Sequence, residues 1–190
     1  MNFCTKCKKV QEVRVLMLGL GGSGKTALLY QWKLGELITT IPTIGLNIEQ
    51  VKIKNISLNI WDVGGQERMR PLWRHYLSSI HNNVLFFVIN SAERDQRVIY
   101  ETKNQLLNLL ENQLKFHSIP ILIIFNKTDL NNSLTNEEIE EEYDFKIGES
   151  ELKIHSVHKI KVMRTSALNS DCLPEIMDWV QLIILKKKKF

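Results

Sequence analysis

The sequence contains few cysteines and no apolar run of membrane-spanning length. It has 3 cysteines in 190 residues, and its longest apolar run lies around Val84–Ile89, whereas a transmembrane helix needs about 20 apolar residues. The segment Met1–Lys9 also lacks the apolar core of a secretory signal. We therefore expect a cytoplasmic protein whose cysteines stay reduced.

The positive charge is concentrated near the two ends of the chain. The net charge is +4, with Lys6, Lys8 and Lys9 near one end and residues 186–189 all lysine. No basic patch is interleaved with aromatic residues in the body of the chain, which argues against a nucleic-acid partner. The lysines at the ends are either simply solvated or contact an anionic membrane surface, at about 1 kcal/mol per close lysine.

Apolar runs alternate with segments of helical period along the whole chain. No linker-like stretch divides it, so we expect one domain over 1–190, with a short extension at 1–11 and a basic tail at 186–190. The alternation indicates an α/β fold with a mostly parallel six-stranded sheet, one antiparallel hairpin strand and helices on both faces. Strands are predicted at Val13–Leu18, Leu46–Ile53, Ser57–Trp61, Val84–Ile89, Ile121–Phe125 and Lys159–Arg164, and helices at Lys25–Leu34, Asp95–Leu114, Thr135–Tyr143 and along an apolar stripe from Leu173 to Ile184.

A glycine-rich loop separates the first predicted strand from the first helix. Its spacing, a glycine, four residues and then Gly-Lys-Thr, predicts backbone N–H groups that surround phosphate oxygens. Lys25 would reach the β- and γ-phosphates, and Thr26 would ligate Mg²⁺. The same glycines also fit a dinucleotide-binding pattern, but that pattern needs an acidic residue that 38–48 does not supply. The loop consists of Gly19, Leu20, Gly21, Gly22, Ser23, Gly24, Lys25 and Thr26.

Two further segments carry groups suited to the end of a triphosphate. Asp62, at the end of the third strand, would hold Mg²⁺ through a water, and Gly65 would offer its N–H to the γ-phosphate. Gln66 is placed to orient an attacking water. Thr43, in the connector between the first helix and the second strand, would bind Mg²⁺ directly and so order its loop only when the triphosphate is bound.

A third segment predicts selectivity for guanine. Asn126, Lys127 and Asp129 follow the buried strand Ile121–Phe125. A carboxylate at Asp129 can accept two N–H bonds from guanine, and adenine offers no such pair. Asn126 would tie neighbouring loops together, and the stem of Lys127 would lie over the base. The backbone N–H groups of Ser166 and Ala167 would complete the base pocket.

With these motifs in place, the chain resembles the ADP-ribosylation factor (Arf and Arf-like) family of small GTPases over residues 13–185. The most specific runs are Thr39–Gly45, Asn55–Ser57, Trp61–Gln66 and Arg70–Tyr76. The resemblance implies the P-loop small-GTPase fold and a monomeric GDP/GTP switch with Mg²⁺ that works in membrane and vesicle traffic, at the Golgi or other endomembranes. It also implies exchange factors, activating proteins and effectors as partners, the effectors being recognised by an aromatic cluster that maps to Leu46, Trp61 and Tyr76.

The sequence departs from the family at several positions. The family usually has phenylalanine at position 46, an acid at 21 and aspartate at 90, where this chain has Leu46, Gly21 and Asn90. Residue 2 is asparagine, so the myristoylation signal is absent, and no cysteine ends the chain for prenylation. The stretch 143–158 is longer than the family's pattern, and is either a surface loop without a role or a partner site.

The pair Cys4 and Cys7 allows three interpretations. The simplest is two free thiols. S-acylation, helped by the neighbouring lysines, would make them a peripheral membrane anchor. Half of a zinc site is the third, but the remaining ligands would have to come from Cys172 and scattered histidines.

Catalysis in such a site consists of positioning and charge stabilisation, with Lys25 and Gln66 as the catalytic residues. No arginine lies within 36–43 to act in cis, so we expect slow GTP hydrolysis without an activating protein. Two alternative functions remain open. Asp129 argues against an ATP-using kinase, and Gln66 argues against a GTP-binding scaffold with negligible hydrolysis.

Overall fold

The computed structural model describes residues 10–77, 84–113, 119–145, 152–154, 158–169 and 172–187. The candidate anchor residues Cys4 and Cys7, the lysines beside them and most of the stretch 143–158 lie outside these residues.

Seven strands form one sheet with the order β2-β3-β1-β4-β5-β7-β6. β3, β1, β4, β5 and β7 run parallel, while β2 pairs antiparallel with β3 and β6 pairs antiparallel with β7. The predicted mostly parallel sheet is confirmed, and the six predicted strands are all present. The strands are β1 (Gln11–Leu18), β2 (Leu46–Ile53), β3 (Ile56–Val63), β4 (Val84–Asn90), β5 (Ile121–Asn126), β6 (Leu152–Ile154) and β7 (His158–Arg164).

The helices cover both faces of this sheet. They are α1 (Lys25–Leu34), α2 (Trp73–Leu77), α3 (Gln96–Asn108), α4 (Asn136–Tyr143) and α5 (Leu173–Lys187). A 3₁₀ segment, Glu67–Leu72, leads into α2, and one π-helical turn, Leu109–Gln113, continues α3. β1 begins one residue inside the predicted extension, and α5 reaches into the predicted tail.

Successive side chains of the parallel strands point to opposite faces of the sheet and so form two apolar clusters, one on each side. On one side, Phe87 and Phe125 pack with side chains of α2, α3 and α4. On the other, Phe86 packs with side chains of α1 and α5. The apolar stripe predicted for the last helix lies in this second cluster. Both layers leave the carboxyl ends of the strands free to present loops, which is where open α/β sheets bind ligands.

Local sequence explains where two of the helices begin or end. α1 begins directly after Gly24 and is capped at its C-terminus by Gly35, whose N–H donates to the Gln31 carbonyl oxygen. α4 begins at a capping box, in which Thr135 and Glu138 each bond the other's backbone N–H. Both boundaries match the glycine and Thr-x-x-Glu signals of the sequence.

Candidate nucleotide site

The phosphate loop joins β1 to α1, and its lysine is held inside it. Lys25 is 5% exposed, and its Nζ donates to the carbonyl oxygens of Gly19 at 2.7 Å and Leu20 at 2.9 Å. Burial lowers the pKa of Lys25 to about 8, although the carboxylate of Asp62 opposes that shift. The ammonium therefore bonds backbone oxygens of its own loop, and phosphate oxygens would replace these partners when a nucleotide binds.

Two glycines of the loop are under different constraints. Gly24 has φ 84°, and a Cβ atom there would lie 2.4 Å from Asn126 Nδ2, so both the backbone and the space require glycine. A Cβ atom at Gly21 would meet nothing closer than 3.7 Å. The backbone therefore permits the acidic residue that the family usually has at this position.

The three predicted Mg²⁺ residues lie together in the structure. Thr26 Oγ1 donates to Asp62 Oδ2 at 2.6 Å and lies 2.8 Å from Thr43 Oγ1. Asp62 is fully buried, and its Oδ1 has no hydrogen-bond partner among the described residues. Burial raises the pKa of Asp62, and the bond from Thr26 and the nearby Lys25 lower it. Hydroxyl and carboxylate oxygens with a spare buried acceptor suit Mg²⁺, which prefers oxygen ligands.

The segment Gly64–Gln66 is held against the phosphate loop. Gly21 N donates to the Gly65 carbonyl oxygen at 2.9 Å. The indole N–H of Trp73, a side chain only 2% exposed, donates to the Gly64 carbonyl oxygen at 3.1 Å. A Cβ atom at Gly65 would lie 2.1 Å from the Gly19 carbonyl oxygen, so no larger residue fits.

The base-side loops are tied together by Asn126. Its fully buried amide donates to the Ser23 carbonyl oxygen at 2.9 Å and accepts from Ala167 N at 3.1 Å. The Ser166 hydroxyl donates to Asp129 Oδ1, and Leu168 N donates to Ser166 Oγ at 3.0 Å. The phosphate loop, the Asn-Lys-Thr-Asp segment and the loop after β7 therefore form one connected unit.

A cleft of about 310 Å³ lies between these segments. Its walls come from the phosphate loop, from the connector that carries Thr43, from Gly65 and Gln66, and from Lys127. It has the position and the lining that the sequence predicts for the phosphates of a nucleotide.

The predicted effector-reading residues also lie together. Leu46, Trp61 and Tyr76 come from β2, β3 and α2, and each is partly buried against the same apolar cluster. The guanidinium of Arg14 lies 5.1 Å from the centre of the Trp61 ring.

Some residues that shape the site carry no recognisable sequence signal. Arg70 Nε donates to the Gly65 carbonyl oxygen at 3.2 Å, and its NH1 donates to Glu101 Oε1 at 2.7 Å. Arg70 lies in a run that is specific for the family, but Glu101 lies on α3 with nothing in its neighbourhood to distinguish it. Only the fold brings the two together.

A mostly parallel sheet with a phosphate loop after its first strand, side-chain oxygens suited to Mg²⁺ and an Asn-Lys-x-Asp loop defines the class of small GTPases. The model of the ADP-ribosylation factor family matches residues 2–184. The chain belongs to that family.

Two similar proteins illustrate the match. The chain is 42% identical to ADP-ribosylation factor J of Dictyostelium discoideum over 171 residues, which are 90% of this chain and 84% of that protein. Its fold matches the Arl6 BBS3 small GTPase from Trypanosoma brucei, solved with the bound nucleotide analogue GppNp, at a TM-score of 0.74. That match covers 93% of this chain and 99% of the other at 24% identity, and so shows a shared fold.

Family membership establishes the general activity. The protein is a GTPase that binds GTP or GDP with Mg²⁺. Proteins of this family work with exchange factors, activating proteins and effectors. Among the residues described here, no helix combines the length and the apolar character required to cross a bilayer.

Proposed function

We propose that this protein is a GDP/GTP switch that hydrolyses GTP slowly by itself and recruits effectors in membrane and vesicle traffic. The main support for the proposal is the set of hydrogen bonds that join Thr43, Thr26 and Asp62. Thr43 lies in the connector between α1 and β2, where Ile41 is 84% and Ile44 is 76% exposed. The connector would be released when the γ-phosphate leaves, and its exposed apolar residues would then change position.

In this proposal, one set of residues binds the phosphates of the nucleotide and another set binds its guanine base. Gly19–Thr26 would bind the phosphates, with Thr26 and Thr43 as direct Mg²⁺ ligands and Asp62 acting through a water. Asn126, Lys127, Asp129, Ser166 and Ala167 would bind guanine. The contact between Ser166 and Asp129 supports this assignment, because it orients the carboxylate that would accept the two N–H bonds of guanine.

Hydrolysis would depend on position and charge. When bound, Mg²⁺ supplies positive charge to the β- and γ-phosphate oxygens. Lys25 would neutralise the same oxygens, Gly65 would offer its N–H to the γ-phosphate, and Gln66 would align the attacking water. The basic side chains that could complete charge neutralisation are absent from the connector 36–43, so an arginine from an activating protein would add 10³–10⁵ in rate, on the order seen in such enzymes.

The surface around Leu46, Trp61 and Tyr76 is proposed to recognise effectors. All three side chains pack against one apolar cluster, and the ring of Trp61 is also covered on one side by Arg14. The peripheral location at the Golgi or another endomembrane follows from the family resemblance alone.

The catalytic part of the proposal is tested by Gln66→Leu. We expect the variant to bind GTP as tightly as the parent protein and to hydrolyse it at least about tenfold more slowly in a single turnover. The matched control is Gln50→Leu. Gln50 is an exposed glutamine on β2 whose side chain bonds Asn59, and its replacement should leave the rate unchanged. Negligible hydrolysis by both proteins would instead favour the GTP-binding scaffold, and equal, measurable hydrolysis would contradict the proposed role of Gln66.

A further inference from the structure

Arg70 connects the segment that follows β3 with α3, which lies about 30 residues further along the chain. It lies in the 3₁₀ segment after β3, it reaches Glu101 on α3 at 2.7 Å, and its Nε donates to the Gly65 carbonyl oxygen at 3.2 Å. Its side chain is 18% exposed. Glu101 also accepts from Gln105 Nε2 at 2.9 Å, so the carboxylate is itself oriented by the next turn of its helix.

The Gly65 carbonyl oxygen is bonded from two sides. Gly21 N in the phosphate loop donates to it at 2.9 Å, in addition to Arg70. A peptide group is planar and trans, so a fixed carbonyl direction also fixes the N–H of the next residue. Holding this one oxygen therefore sets the direction of the Gln66 N–H and the point from which the Gln66 side chain leaves the backbone.

The same bridge places positive charge near the phosphate loop. Burial is the main cause of the lowered pKa of Lys25, and the charge of Arg70 lowers that pKa further, so the guanidinium acts on the lysine of the phosphate loop. Without Glu101 that guanidinium would be free to rotate away from Gly65, because Oε1 of Glu101 is its one charged partner among the described contacts.

We propose that Glu101 is a positioning residue for GTP hydrolysis, which holds Arg70 on the Gly65 carbonyl oxygen and so fixes the peptide that carries Gln66. The inference depends on the proposed role of Gln66. The residue that touches the reacting segment is Arg70, and Glu101 acts through it.

The first test compares two glutamates that make ion pairs of the same length. Glu101→Gln should slow single-turnover GTP hydrolysis about tenfold, because small displacements of a positioned group cost this much or more. It should also speed release of a non-hydrolysable GTP analogue while GDP release stays unchanged, since only the triphosphate reaches Gly65. Glu175→Gln is the control: Glu175 pairs with Lys161 at 2.7 Å, and Lys161 is as buried as Arg70. It should change neither rate.

The second test separates positioning from simple anchoring of α3. The exchange Arg70→Glu with Glu101→Arg restores an ion pair between the two elements but faces the Gly65 carbonyl oxygen with a carboxylate. We expect it to recover thermal stability relative to Arg70→Glu alone and to leave hydrolysis slow. Recovery of hydrolysis by the exchange would overturn the proposal, as would normal hydrolysis by Glu101→Gln.

Gln66→Leu in the same assay distinguishes the two proposals. If Gln66→Leu hydrolyses GTP normally, the proposed role of Gln66 fails and the inference fails with it. If Gln66→Leu is slow and Glu101→Gln is normal, only the inference fails. Arg70→Lys keeps the charge for Glu101 and removes the donor geometry, so it should be slow while its melting temperature stays close to that of the parent protein.

Discussion

At Lys25, the requirements of folding and of phosphate binding oppose each other. The side chain is buried without a carboxylate in direct contact, and its ammonium is held by the carbonyl oxygens of Gly19 and Leu20. Burial lowers its pKa to about 8. A phosphate group near the ammonium favours the charged form and would raise that pKa again.

GTP affinity should therefore fall as the pH rises above about 8. The free protein loses the Lys25 proton in this range, with its pKa of about 8, and the complex retains it. Binding then takes up a proton, and the affinity falls by up to about tenfold for each further pH unit, until the pKa of the bound lysine is reached. Calorimetry in two buffers of different ionisation enthalpy measures the uptake directly.

Lys25→Arg is the control for this pH effect, because arginine stays protonated throughout the range. The GTP affinity of this variant is expected to be lower at every pH, and its GTP binding should take up no proton between about pH 8 and 9, where the lysine titrates. Equal proton uptake by both proteins would assign the titration to another group.

Two glycines near the γ-phosphate position should respond differently to alanine. A Cβ atom at Gly65 would lie 2.1 Å from a backbone oxygen and 2.7 Å from Lys25 Nζ, whereas one at Gly21 meets ordinary contacts of 3.7 Å. We expect Gly65→Ala to lower the free energy of unfolding by about 1–3 kcal/mol, as overpacking does. Gly21→Ala should change it by less than about 0.5 kcal/mol. Urea unfolding of both variants measures the difference, and equal losses would contradict the assigned packing.

At the scale of elements, the long and strongly patterned segments could be predicted from the sequence. The residue range of α1 agrees with the prediction because glycines mark both of its ends, and α4 because its capping box is a local signal. β6 was not predicted, since three residues show no period. The 3₁₀ segment was also missed: it contains Pro71, and buries one side chain, Met69, so it has no helical stripe.

The predicted helix Asp95–Leu114 shows the limit of periodicity as a guide to boundaries. Asp95 is the N-cap, and the α-helical part ends at Asn108, after which the backbone widens into a π-helical turn. Leu109 and Leu110, in that turn, are both 1% exposed. They follow Leu106, which is also buried, by three and four residues, so the apolar period of the α-helix continues through the π-helical turn and does not mark where the α-helix ends.

The candidate site also contains residues that could be predicted from the sequence and residues that could not. Apart from Thr43, its motif residues could be predicted because they lie at or just after the ends of buried strands and the chemistry of phosphate, Mg²⁺ and guanine restricts the residue types. The ion pair of Arg70 with Glu101 could not, since 31 residues separate its members and no spacing rule relates them. Such pairs are specified by the way the 3₁₀ segment packs on α3.

At the scale of the whole molecule, the parallel order of the strands brings the site together. β1, β3, β5 and β7 end at the same edge of the sheet. Asp62 and Asn126 lie at those ends, and the phosphate loop and Ser166 come directly after them. Asn126 then bonds the phosphate loop across 103 residues of sequence. We therefore expect nucleotide binding to stabilise contacts that span the sheet, and nucleotide release to weaken contacts far from the phosphates.

Mg²⁺ gives the most direct test of this coupling. Asp62 is fully buried with one oxygen unpartnered in the described structure, and Thr26 and Thr43 both face its other oxygen. In Asp62→Asn the carboxylate charge that favours the cation is lost while the shape is kept. We expect the free Mg²⁺ concentration needed to slow GTP release by half to rise about 10–100-fold, the usual range for a lost metal-site partner.

The control for this titration is Asp178→Asn, at an exposed position on α5, which should leave the Mg²⁺ dependence of release unchanged. Release is followed with a fluorescent GTP analogue while EDTA sets the free Mg²⁺ concentration. If Asp62→Asn keeps the Mg²⁺ dependence of the parent protein, the cation is held without this carboxylate. The convergence of Thr26, Thr43 and Asp62 would then serve only to close the connector over the phosphates.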